Sequence, residues 1–233
     1  MPVTPSSADA AAADVHERQR PEPGTAERPA RPQARLALHS EVGDVAEVLR
    51  RAFIGDPFID ALFPDPDERP RRARRLFAVQ TAFEYLPNGL VEVVDSGDRI
   101  VGAALWATPG TPRITRTLSS LRSAPHLVET LGLRRMVSLG AFVRDCARHV
   151  PDRPHWYLAD LGTTPEARGT GAGGALLRSG LGRADADGLP VHLESSKAEN
   201  IPIYEKFGFR VTGTVRMADG PELYAMLREP ERG

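Results

Sequence analysis

The chain has 233 residues, 30 Lys and Arg against 31 Asp and Glu, a net charge of −1 and one cysteine. That length supports a single domain with a sizeable core, and the balanced charge argues against binding nucleic acid or anionic membrane through bulk electrostatics. Cys146 has no partner for an internal disulfide, no apolar run reaches the 18 residues of a membrane span, and the N-terminus lacks a signal-peptide core. The expectation is a soluble cytoplasmic protein, monomer or homodimer.

Residues 1–33 combine an Ala tract with six prolines and scattered Ser, Asp, Glu and Arg, a composition that predicts a disordered tail ahead of a single domain at 34–233. Arg35–Leu38 reads as a first strand. Ser40 reads as the N-cap of a helix ending at Phe53, with Val45, Val48, Leu49 and Ala52 on one face. Gly55-Asp56-Pro57 breaks that helix, a second helical stretch ends at Phe63, and a third covers Glu68–Tyr85. Its basic run (Arg69, Arg71, Arg72, Arg74, Arg75) lacks interleaved aromatics and reads as a solvated face, not a nucleic-acid patch. Leu90–Asp95 and Arg99–Trp106 form a hairpin about Ser96-Gly97-Asp98. Residues 109–152 are helical by the spacing of Leu133, Met136, Val137, Gly140, Val143 and Ala147, and Cys146 in that stretch reads as a core residue, not a nucleophile. Then come a strand at Trp156–Gly162, a glycine loop and its helix to Ala186, and a strand at Pro190–Glu194. A short helix at Asn200–Phe207 leads to strands at Phe209–Val215 and Glu222–Leu227, turned at Asp219-Gly220. The class is mixed α/β.

The glycine loop carries the most information. Arg168-Gly169-Thr170-Gly171-Ala172-Gly173 follows a strand and opens a helix, so backbone N–H groups and the helix dipole converge on one point, as a pyrophosphate requires. No lysine follows the glycines, which excludes a nucleoside triphosphate loop. Gly169, Gly171 and Gly174 do satisfy the dinucleotide spacing, with Glu194 where a ribose-binding acid would sit. Two facts oppose that reading: seven residues separate Leu161 from Gly169, and the sequence after Glu194 holds a short helix and a hairpin, not further parallel βαβ units.

Arg168-x-x-Gly171-x-Gly173, preceded by Leu161-x-Thr163-x-Pro165, resembles the acetyl-CoA loop of the GNAT superfamily of N-acetyltransferases. Asn200-Ile-Pro-Ile-Tyr204-Glu-Lys-Phe-Gly208-Phe209 is similar to its second motif. Ala52-Phe53 with Asp56-Pro57, Trp106 with Pro109, Trp156–Ala159 and Leu193–Ser196 resemble the branch that contains puromycin N-acetyltransferase. The likeness spans about residues 35–229. It implies a mixed, mostly antiparallel sheet with helices on both faces, whose cofactor strand and parallel successor splay apart around acetyl-CoA. Residues 109–152 depart from the minimal superfamily pattern, in which the hairpin strands are followed closely by the cofactor strand, and this helical insertion is expected to wall the acceptor pocket. By the same resemblance, Arg168, Gly169, Thr170, Gly171, Ala172 and Gly173 would hold the pyrophosphate. Leu161, Gly162 and Thr163 would pair their backbones with the pantetheine amides, Asn200 would contact that arm, and Tyr204 would meet the sulfur.

Acetyl transfer to an amine needs a proton for the departing thiolate and a base for the amine. Tyr204 is the candidate acid, because a phenol is matched to a thiolate of comparable basicity. For the base, Tyr157 occupies the strand position that is often acidic in the superfamily. Glu194 is therefore the first candidate, followed by Asp160 and Asp56. Asp56, Phe58, Trp106, Tyr157 and Asp160 are expected around the acceptor. The six histidines show no metal-ligand spacing, so no metal is expected. The function expected is direct transfer from acetyl-CoA to the amine of a small molecule, a drug or metabolite. The alternatives are a protein or peptide acetyltransferase and a non-catalytic acyl-CoA-binding regulatory module.

Overall fold

Alternation along the hairpin strands decides the architecture. Val93, Ala103 and Leu105 turn to one face of a sheet and Val94, Ala104 and Trp106 to the other, so both faces are apolar and both must be covered. The computed structural model describes residues 31–109, 113–217 and 220–231; the expected tail is outside these except for its last three residues, and so is Asp219 of the expected turn. The described residues fall within one compact unit, Arg31–Gly233.

Seven strands form one sheet: β1 (Ala34–Leu36), β2 (Gly89–Ser96), β3 (Arg99–Ala107), β4 (Trp156–Thr163), β5 (Val191–Ser195), β6 (Arg210–Arg216) and β7 (Glu222–Arg228), in the order β1-β2-β3-β4-β5-β7-β6. All neighbours are antiparallel except β4 and β5. The helices are α1 (Val42–Ala52), α2 (Pro57–Leu62), α3 (Arg69–Val79), the short α4 (Leu86–Asn88), α5 (Arg113–Leu131), α6 (Leu133–Cys146), α7 (Ala172–Ala186) and α8 (Ile201–Glu205). This is the mixed, mostly antiparallel architecture with one parallel pair that the sequence resemblance implied. No helix among the described residues is long and apolar enough to cross a membrane.

One face carries α1, α2, α3 and the insertion helices α5 and α6, with Val45, Leu49, Phe63 and Phe77 at its core. The other carries α7, whose Leu176 packs over Trp106, Trp156 and Leu193, with Ile201 and Tyr204 of α8 packed against the same cluster. The insertion is anchored: Arg135 donates to the carbonyl oxygens of Ala61 and Leu62 at the end of α2, and Arg75 of α3 pairs with Glu129 of α5.

Three expectations are corrected or refined. Ser40 lies inside a single 3₁₀ turn (His39–Glu41) and does not cap α1; Glu41 closes that turn by accepting the Leu38 N–H at 2.7 Å. The third helical stretch does run on from α3, but residues Gln80–Tyr85 form a π-helical turn, with the Leu86 N–H reaching back to Thr81 O. Within the basic run, Arg69, Arg72, Arg74 and Arg75 are committed to Asp60, Glu68, Glu47 and Glu129.

Candidate active site

The parallel pair β4–β5 is where the sheet opens. Its register holds for three rungs, Trp156↔Val191, Tyr157↔His192 and Leu158↔Leu193, and no rung follows them. Beyond Leu158 the β4 edge therefore faces a gap, with backbone donors and acceptors that a strand-like ligand can satisfy. That gap is a cleft of about 390 Å³, walled by Leu161, Gly162, Thr163 and Arg168 on the β4 side and by Ser195, Asn200 and Tyr204 on the other.

At the cleft's end the chain turns through Gly169 (φ +78°) and Gly171 (φ +94°) into α7. Gly171 is the helix N-cap, and the first helical bond, Ala175 N–H to Gly171 O, leaves the preceding amides directed outward. The donor set of this turn fits a pyrophosphate. The structure separates what the loop residues do. Arg168 lines the cleft, whereas residues 169–173 lie beyond its enclosed part. Thr170 turns both its hydroxyl, at 2.8 Å, and its backbone N–H, at 3.3 Å, back to Ala167 O, and the Ala172 side chain is buried in the core, so Ala172 offers only its backbone to a ligand. Gly162 has a packing reason of its own, since a Cβ there would sit 2.4 Å from the Ala52 Cβ of α1.

Asn200 and Tyr204 are positioned by a tight segment after β5. Asn200 stands at the N-cap of α8 but makes no side-chain cap bond, which leaves its amide to the cleft. Arg228 of β7 holds the segment from below, donating to Phe207 O at 2.9 Å and to both Asp185 oxygens at 2.7 and 2.9 Å. The Tyr204 ring packs edge-on against Phe209. Burial, then Asp160 and Asp56, push its phenol up to about 12, so it stays protonated at neutral pH.

A second cavity, about 730 Å³, lies on the insertion side and shares Phe53, Asp56, Ala159, Glu194 and Ser196 with the cleft. Its apolar wall includes Phe58, Leu62, Leu76, Leu139, Phe142 and Val143, with the Phe58 and Phe142 rings 5.5 Å apart. Four carboxylates reach it: Asp56, Glu84, Asp160 and Glu194. Asp56 is occupied, capping α2 through the Phe58 and Ile59 N–H groups and accepting Ser196 Oγ at 2.5 Å. Glu194 accepts the Nε2–H of the fully buried His192 at 2.9 Å, and the His192 ring stacks on Tyr157.

Asp160 reaches the cavity through a bulge. Leu105 pairs with Asp160 but Trp106 pairs with Leu158, so Ala159 is an extra residue on β4. Strict alternation would send Asp160 to the α7 face with Trp156 and Leu158; the bulge reverses the phase and brings it beside Tyr157. There, burial first and then Asp56 and Glu84 raise its carboxyl to about 7.

Of the residues expected around the acceptor, Asp56, Phe58, Tyr157 and Asp160 meet in this cavity, and Trp106 does not. Trp106 is fully buried beneath α7, so close that a Cβ on Gly180 would sit 2.2 Å from its ring. Cys146 packs against the core as expected and also lines the cavity, with its thiol pushed to about 12 by burial and then by Glu194 and Asp145, so it is no thiolate nucleophile.

Gln80, Glu84 and Tyr85 went unanticipated, yet all three line the cavity. A signal existed: the buried stripe of α3, Ala73, Leu76 and Phe77, continues at helical spacing into Gln80, Thr81 and Glu84, polar residues where apolar ones belong. Among the described residues, no group of three or more His, Cys, Asp or Glu is arranged to hold a metal ion.

Residues 134–229 match the acetyltransferase (GNAT) domain family. An uncharacterized N-acetyltransferase of Schizosaccharomyces pombe is 27% identical over 195 residues, which cover 74% of this chain and 77% of the yeast protein. The structure of histone acetyltransferase HPA2 and related acetyltransferase from Corynebacterium glutamicum is similar with a TM-score of 0.68 at 29% identity, covering 87% of this chain and 98% of that one. Arylalkylamine N-acetyltransferase 2 from Aedes aegypti shares the fold, with a TM-score of 0.59 at 15% identity over 86% and 99% of the two chains.

Proposed function

We propose that this chain is a GNAT acetyltransferase, as the match of residues 134–229 to that domain family supports, and that it moves an acetyl group directly from acetyl-CoA to the amine of a small molecule. The observation that carries this reading is the junction of the two cavities at Ala159 and Glu194, where the cleft beside β4 runs into a larger, half-open and largely apolar chamber. Bound in the cleft, acetyl-CoA supplies an activated acetyl thioester. The Gly171 turn and Arg168 would hold its pyrophosphate, and the open β4 edge with Asn200 its amide arm.

Asp160 is a better base than Glu194. Glu194 already accepts the His192 N–H, whereas the Asp160 carboxyl is raised to about 7 and among the described residues no cation pairs with it. The carboxylate of Asp160 takes one proton from the incoming ammonium. As the C–N bond forms and the C–S bond breaks, Tyr204 donates its proton to the sulfur and recovers one from the nitrogen. The products are the amide and the free thiol, and Asp160 returns its proton to water. Cys146 at about 12 offers no route through an acyl-enzyme.

The likeness to a histone acetyltransferase raises a protein substrate as the second reading; the α5–α6 wall over the chamber favours a small acceptor. Titration with acetyl-CoA followed by thiol release across small amines and lysine peptides tests both. Turnover on small amines supports the proposal. Turnover on peptides alone replaces it with the second reading, and binding without turnover points to a regulatory module. The base is tested by pH: kcat/KM should rise as Asp160 ionises near pH 7, and Asp160→Asn should lower kcat/KM and remove that limb.

A further inference from the structure

Carboxylates outnumber cations on the chamber wall, which also carries the hydroxyls of Tyr85, Tyr157 and Ser196 and the His155 ring. Gln80 and Glu84 enter from the π-helical turn and Asp160 from the β4 bulge, and each offers acceptor oxygens to the interior. The Gln80 Oε1 is buried without a hydrogen-bond partner among the described residues. Among the described residues, Glu84 accepts one long bond, 3.4 Å from Ser123 Oγ, and burial raises its pKa. The one guanidinium on the wall among those residues, Arg153, is drawn off to Glu229 at 2.5 Å. Buried acceptors of this kind call for a donor, and buried carboxylates call for positive charge. An ammonium group brings both, with three N–H donors on one centre. The remaining wall (Phe58, Leu76, Leu139, Phe142) calls for an apolar body.

We propose that the acceptor is a hydrophobic primary amine that enters as its ammonium cation, held by Gln80 and Glu84 at the π-turn and presented there to Asp160. This rests on the acetyl-transfer reading for its consequence but not for its measurement. The π-turn gives the selectivity a structural origin: an i→i+5 turn re-aims side chains within a helix, here placing Gln80, Glu84 and Tyr85 on one chamber wall.

The test is calorimetric titration of the CoA-saturated protein with 2-phenylethylamine, its neutral isostere 2-phenylethanol, and spermidine, which has charge without an apolar body. The amine should bind at least tenfold more tightly than the alcohol and than spermidine. Glu84→Gln should bring amine and alcohol within about threefold of each other while acetyl-CoA affinity stays unchanged. Equal binding of amine and alcohol to the wild-type protein, or binding of neither, overturns the proposal whatever the variant does. Tighter binding of spermidine overturns the apolar half. Thiol release is scored separately: preferential amine binding without turnover leaves this inference standing and defeats acetyl transfer, whereas turnover with no preference for the cation does the reverse.

Discussion

The two faces of the sheet are built to opposite ends. Beneath α7 the interior is solid, with Trp106 filling the space up to Gly180 and Trp156 edge-on to it at 6.4 Å. Beneath α5 and α6 the interior parts into a chamber of about 730 Å³ into which four carboxylates reach. A closed face fixes β4 and the α7 N-terminus to which a pyrophosphate would bind; an open face accepts a stability cost so that charge can meet substrate. Breaking either face should therefore give a different signature.

The largest effect is expected at the turn that joins them. Gly171 sits at φ +94°, where a β-branched side chain is strained whatever space surrounds it. Gly171→Val should abolish measurable acetyl-CoA titration with near-native circular dichroism; micromolar binding, on the order of −8 kcal/mol, would remove the loop from the cofactor site.

Next comes Tyr204→Phe, which keeps the ring against Phe209 and removes the proton. It should lower kcat by about 10²–10⁴-fold with acetyl-CoA affinity unchanged. Wild-type kcat would remove Tyr204 as the acid, and weakened cofactor binding at constant kcat would reassign it to holding the ligand.

These two residues were legible because their signals are local: glycines at a strand-to-helix turn, and a tyrosine four residues after an asparagine. What could not be read depends on partners distant in sequence. Trp106 stands in a strand whose alternation allows either face, and only the pairing of β3 with its neighbours, under α7, settles which. The bulge at Ala159 exists because β3 and β4 fall out of step between Leu105 and Trp106, so no window of β4 alone predicts that Asp160 changes face. The π-turn is likewise invisible to a 3.6-residue period, although the polar tail of the α3 stripe marked the place.

The closed face is sharpened by Gly180→Ala. Alanine is the better helix former by about 1 kcal/mol, so a helix-propensity argument predicts stabilisation. The added Cβ would instead meet the buried Trp106 ring at 2.2–2.7 Å. Overpacking of about 1–3 kcal/mol should win, lowering Tm by several degrees, with amine binding in the chamber retained. A raised Tm would show that Trp106 has room to move.

The smallest and most discriminating change is Asp160→Asn, measured as stability. An aspartate in an unfolded chain titrates near 3.8, and here the folded carboxyl is raised to about 7, so between those values the folded state binds the proton more tightly. The native state is therefore relatively favoured at low pH, and it loses that advantage as pH rises through the window; above about 7 the full cost of burying the charge is present. Asparagine carries no charge to bury, but its own amide needs partners, which takes back part of the gain. The variant should melt about 2–8 °C above wild type at pH 8, as a net 1–2 kcal/mol would give for a domain of this size, with the difference shrinking toward zero near pH 4. An open face that trades stability for charge requires that slope, and a variant equal to or below wild type at pH 8 would mean that Asp160 is already neutralised in the free protein.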